Sequence, residues 1–180
     1  MKILVASDIH GSYACTEKLI EAFKREGAER MLFLGDILYH GPRNCLPEKY
    51  DTKDVANLLN RFKNDIYSVR GNCDAEVDQL MLEFPIMADY CIISVGKKFI
   101  FATHGHRFNK DNLPPMHPGD ILLHGHTHIS VCEEVGEYVY CNPGSVSIPK
   151  GGTPAGYMII DEKCMKWKTL DGEEYREYVF

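Results

Sequence analysis

No two cysteines of this chain stand in a C-x-x-C pair, although it has seven of them, at positions 15, 45, 73, 91, 132, 141 and 164. An odd count without pairing excludes a disulfide framework and a structural zinc knuckle. Several lie in apolar runs and read as small core hydrophobes. Free thiols in this number fit a reducing compartment, so the expected location is the cytoplasm. Long hydrophobic runs are also missing. No stretch approaches the ~20 apolar residues of a membrane span. The opening MKILVASDIHG is too short in its apolar part for a signal peptide core. There is no excess of basic residues: 20 Lys and Arg stand against 26 Asp and Glu, for a net charge of −6. That argues against a protein that coats nucleic acid, which normally carries a basic stripe. A nucleotide or a nucleic-acid end stays open as substrate, because bound cations would add local positive charge. Linkers, internal repeats and low-complexity segments are lacking too. The 180 residues therefore read as one domain, 1–180, with room for a sizeable core.

What is present falls into two halves. Residues 2–7 read as a buried strand and 13–27 as a helix with an apolar stripe of Leu19, Ile20, Ala22 and Phe23, closed by Gly27. A second strand is expected at 31–35, a loop over 36–51, a helix at 53–63 capped by Asp51 or Thr52, and a third strand at 66–71. This is a βαβαβ unit with a parallel sheet. The second half reads as mostly antiparallel. Residues 91–105 and 131–142 suggest hairpins around Gly96 and Gly136, and 120–125 suggests a strand. A third hairpin is expected from 157–161 and 164–170, with a last edge strand at 174–180. The fold class is α/β, with two mixed β-sheets packed face to face and helices outside.

The chemistry-bearing residues sit at the C-terminal ends of the expected strands. They are Asp8 with His10, Asp36 after Gly35, Asn72-Cys73-Asp74 after Gly71, His104 with His106, and His124, His126 and His128. Ligands bind outside the carboxyl ends of strands in open α/β sheets. A lone Asp or His there is usually a cap or turn residue. Five such clusters at one edge, including three imidazoles in five residues, point to metal. His124 is expected to be a core or supporting histidine. The donors are imidazole, carboxylate and amide oxygen without thiolate. That set suits Mn²⁺, Fe²⁺, Zn²⁺ or Co²⁺ better than Ca²⁺ or an all-oxygen Mg²⁺ site. Seven ligands exceed one tetrahedral ion and suffice for two if a carboxylate bridges.

These motifs, SDIHGS, HGPRN, VRGNCD, THGH, GHTH and NPGSVSIPKGG, occur in the order of the calcineurin-like metallophosphoesterases. The chain resembles that superfamily over nearly its whole length, and its YfcE branch of small bacterial and archaeal phosphodiesterases in particular. The resemblance implies a four-layer α/β/β/α sandwich. It implies that Asp8, His10 and His128 hold a first metal, that Asn72, His104 and His126 hold a second, and that Asp36 bridges both. Mn²⁺ commonly supports activity in such proteins. The implied reaction is hydrolysis of a small phosphodiester by a hydroxide held between two cations roughly 3.5–4 Å apart.

Asp36, Asn72, Cys73 and His104 are the expected catalytic positions. Cys73 stands where most of the superfamily has a histidine, the expected general acid. A weak acid there favours diesters with good leaving groups. Asp74 is expected to orient a histidine. Arg43, His40 and Arg70 are candidates for substrate phosphate, and His106 for a proton donor. The alternatives are another phosphoesterase, such as a nucleotide pyrophosphatase or a monoesterase, or a non-catalytic scaffold of the vacuolar sorting protein 29 type. Exposed strand edges after residue 130 would permit homo-oligomers.

Overall fold

The run Ile3–Ala6 forms β1, and all four of its residues are buried. A strand covered on both faces has this near-continuous apolar character. Ser12 then caps α1 (Tyr13–Glu26) by accepting from the Cys15 amide. Gly27 closes that helix at φ 59, donating to the Phe23 and Lys24 carbonyls. β2 (Arg30–Phe33), α2 (Thr52–Asn60, capped by Asp51) and β3 (Ile66–Ser68) complete the first unit. β1 pairs parallel with β2, and β2 with β3. These elements match the expectation. A short α3 (Glu76–Gln79) has no counterpart in it, since none of its four residues is buried and it carries no apolar stripe.

The computed structural model describes residues 1–180. Its second half contains β4 (Tyr90–Val95), β5 (Lys98–Thr103), β6 (Ile121–His124), β7 (Val131–Val135), β8 (Tyr138–Asn142), β9 (Gly156–Ile160), β10 (Cys164–Thr169) and β11 (Glu174–Val179). The hairpins β4–β5, β7–β8 and β9–β10 are antiparallel as expected. The centre of the second sheet is not, for β5, β6 and β8 run parallel. The 17 residues between β5 and β6 return the chain to the same starting edge, which a tight turn cannot do.

One sheet has the order β11-β10-β9-β1-β2-β3 and the other β4-β5-β6-β8-β7. Alternation along β1 divides its side chains between two cores. Leu4 and Ala6 join the apolar cluster under α1 and α2, while Ile3 and Val5 join the cluster between the sheets. Trp167 lies fully buried in the latter, its indole N–H donating to the Asn142 carbonyl at 2.7 Å. The outward face of the second sheet presents Phe101, Leu122 and Tyr140. Its covering layer is the segment 105–119, which supplies Phe108 and Met116 and contains no helix. Pro114, Pro115, Pro118 and Gly119 in that segment oppose helix formation. No helix is long and apolar enough to cross a membrane.

Candidate metal centre

The loops leaving β1, β2, β3, β5 and β6 meet at one end of the sandwich. The backbone there is unusual. Asp8, His10, Asp36, His126 and His128 all have positive φ, between 49 and 65. Non-glycine residues rarely adopt this region, and each costs of order 1 kcal/mol or more. The surrounding bonds enforce it. Asp8 N donates to Gly35 O, His10 N to Asp36 O, and Lys150 N to His128 O. Gly125 permits the closest approach, since a Cβ there would fall 1.8 Å from Ser7 Oγ and 2.7 Å from Asp8 Oδ2.

All seven expected ligands converge. His10 Nε2 and His128 Nε2 lie 3.2 Å apart. Asp8 Oδ1 stands 3.7 and 3.3 Å from those two nitrogens. On the other side His104 Nε2 is 3.0 Å from Asn72 Oδ1 and 3.2 Å from His126 Nδ1. Asp36 Oδ2 lies between the groups, 3.8 Å from His10 Nε2 and 3.5 Å from His104 Nε2.

The rings are oriented from behind. His10, His104 and His128 donate Nδ1–H to the carbonyls of Tyr39, Leu34 and Ile148 at 2.8, 2.6 and 2.6 Å. In the neutral rings this tautomer turns each Nε2 lone pair into the site. Lone pairs and carboxylate oxygens facing one another repel unless a cation lies among them. Asp8 Oδ1 is buried with no hydrogen-bond partner, and a bound cation would satisfy it. The donor set therefore fits divalent metal.

The electrostatics agree. Burial pushes the Asp8 carboxyl up, but His128, 3.3 Å away, and the other nearby imidazoles outweigh it and hold it well below the usual range. Burial pulls His10 and His126 down. His128 is raised, because Asp8 outweighs the burial of its ring. Burial first, then the Asp36 carboxylate, pushes the Cys73 thiol up.

The supporting residues differ from the expectation in places. Asp74 orients no histidine. Its carboxylate accepts from the backbone N–H groups of Asp36, Ile37 and Gly71 at 2.7–2.9 Å and so fixes two ligand-bearing loops at once. Arg70 donates to the Asp74 carbonyl and pairs with Glu76, away from the cavity. His40 packs between the rings of Tyr39 and Tyr50. His124 is buried against Tyr140, and burial lowers it to about 4. His106 lies beside His104, their ring centroids 5.4 Å apart, and burial lowers it to about 4.

Arg43 lines the cavity, about 320 Å³, together with Asp36, Asn44, Asn72, Cys73, His126 and His128. So does Lys150, which sequence reasoning missed because no spacing ties it to the ligands. Asn142 ties the ligand loop to β8, donating to Gly125 O and Thr127 Oγ1.

A family model for the calcineurin-like phosphoesterase superfamily domain matches residues 1–164. The chain belongs to that superfamily and is a phosphoester hydrolase, with side chains grouped as ligands for divalent metal would be. It is 51% identical to phosphodiesterase YfcE of Escherichia coli K12 over 173 residues, covering 96% of this chain and 94% of that one. The solved structure of YfcE, a phosphoesterase from E. coli, superposes with a TM-score of 0.95 at 46% identity and covers 99% of both chains. The Vacuolar Protein Sorting 29 structure from Cryptosporidium parvum shares the fold, with a TM-score of 0.64 at 18% identity over 99% of this chain and 98% of that one.

Proposed function

We propose that this protein hydrolyses small phosphodiesters at a dinuclear metal centre, acting as one domain in the cytoplasm. Asp8, His10 and His128 hold one ion, and Asn72, His104 and His126 hold the other. Asp36 is shared, and the position of its Oδ2 between His10 and His104 carries the reading. Mn²⁺ suits the mixed nitrogen and oxygen donors. When bound, the ion pair supplies an acidified water as nucleophile and positive charge for the phosphoryl oxygens.

The chain's own residues do the rest. Asp36 Oδ1 accepts from the Cys73 amide at 2.8 Å, which leaves Oδ2 for the centre. Asn72 donates to Cys73 Sγ at 3.2 Å, which turns its amide oxygen inward. Arg43 and Lys150 line the cavity and offer charge to a phosphate. The similarity to phosphodiesterase YfcE supports a diester as substrate.

The test is hydrolysis of bis(4-nitrophenyl) phosphate with and without Mn²⁺. Asp36→Asn and His126→Ala are expected to lower kcat/KM sharply, because each removes a donor to the centre that activates the water. Absence of turnover with any divalent metal would count for the scaffold alternative.

A further inference from the structure

Cys73 marks one edge of the catalytic cavity. On the other side of that residue lies a second depression of about 420 Å³, and Cys73 alone lines both. The two differ in chemistry. Charged and polar groups wall the first. Leu38, Tyr39, Tyr50, Val77 and Met81 wall most of the second. Tyr39, Val77 and Met81 are 41, 64 and 42% exposed, a cluster of apolar side chains in water beside a site. Such clusters mark ligand grooves.

The groove is built from the same segments as the metal centre. The Tyr39 carbonyl accepts the His10 ring proton. Asp74, next to Cys73, holds the amides of Asp36 and Ile37. The His40 ring braces both tyrosines, with centroids 4.8 Å from Tyr39 and 5.2 Å from Tyr50. The groove is thereby tied to the backbone that positions His10 and Asp36.

We propose that this groove is the subsite for one ester arm of the substrate, and that the arm is an aromatic ring. The proposal rests on the phosphodiesterase reading. Tyrosine faces and a methionine thioether suit a flat apolar group. Only the Cys73 side chain lines both depressions, and a thiol there takes up less room than an imidazole would.

Two measurements test this on the Mn²⁺-loaded protein. The first compares phenyl 4-nitrophenyl phosphate with methyl 4-nitrophenyl phosphate, which release the same phenolate. After correction for uncatalysed rates, kcat/KM is expected to favour the phenyl diester at least tenfold. In Val77→Asp and Met81→Asp the ratio falls toward one. Both side chains are exposed, so these variants leave the core intact. The second measures calorimetric binding of diphenylphosphinate and dimethylphosphinate, which have no ester bond to cleave. The diphenyl compound is expected to bind at least tenfold tighter, and Val77→Asp removes the difference. Turnover with a corrected ratio near one, or equal phosphinate affinities in the wild type, overturns the subsite. If neither diester is turned over, a diphenyl preference that Val77→Asp abolishes upholds the groove while the phosphodiesterase reading falls.

Discussion

At Cys73 the chain places a thiol where most of its superfamily is expected to have an imidazole. Its amide is bound by Asp36 and its sulfur takes a hydrogen bond from Asn72. We expect Cys73→His to supply a proton donor and to flatten the dependence of kcat/KM on leaving-group pKa in a series of aryl diesters. An unchanged slope would sink this role. Gly125 gives a second prediction. Ser7 Oγ and the His126 amide both donate to Asp8 Oδ2, at 2.7 and 3.0 Å, in the space a Gly125 Cβ would enter. Gly125→Ala is expected to weaken Mn²⁺ binding by at least about tenfold and to cost about 1–3 kcal/mol of stability from overpacking. Calorimetry and urea unfolding read the two effects. The ligand types were legible in the sequence as D-x-H, G-D, G-N and G-H-x-H. Lys150 was not, because its place in the cavity depends on the Ile148 and Lys150 backbone bonds to His128.

The end of α1 is tied to the first sheet by a charged cluster. Lys168 of β10 donates to both Glu26 carboxylate oxygens at 2.9 and 3.0 Å, and the Tyr157 hydroxyl of β9 donates to Oε1 at 2.9 Å. Burial raises Glu26, but these bonds outweigh it and hold it below its ordinary 4.5. A depressed carboxyl contributes stability that is present above the unfolded value and is lost as pH falls through the folded one. Glu26→Gln is therefore expected to cost about 1–2 kcal/mol at neutral pH. The gap to the wild type should close as the pH falls below the ordinary 4.5 and through the lower folded value. Denaturant unfolding at several pH values checks it, and a gap constant with pH would refute the ion pair's part. Strands and the two long helices were legible from apolar runs and caps. The parallel pairing of β5, β6 and β8 was not, because partner choice across a 17-residue connection is nonlocal.

For the whole molecule, metal and fold are linked. Residues from both sheets meet at the centre, so an ion bound there stabilises only the docked sandwich. Mn²⁺ at about a hundred times its Kd adds about 2.7 kcal/mol per site. At roughly 2–4 °C per kcal/mol, that raises Tm by about 5–10 °C for one site. A chelator should reverse the rise, and Asp36→Asn should blunt it. A Tm indifferent to Mn²⁺ would contradict metal binding at this centre. The sequence by itself determined which donors are available, their order along the chain, and the strand ends that carry them, because these follow from local spacing and periodicity. Only the tertiary structure decided that Asp8 Oδ1 lacks a partner, that Asp36 Oδ2 faces both histidine groups, and that Asp74 serves backbone rather than imidazole. Those outcomes need positive-φ turns and contacts such as Asp8 to His126, 118 residues apart. Docking one sheet on the other creates them, and no local pattern encodes it.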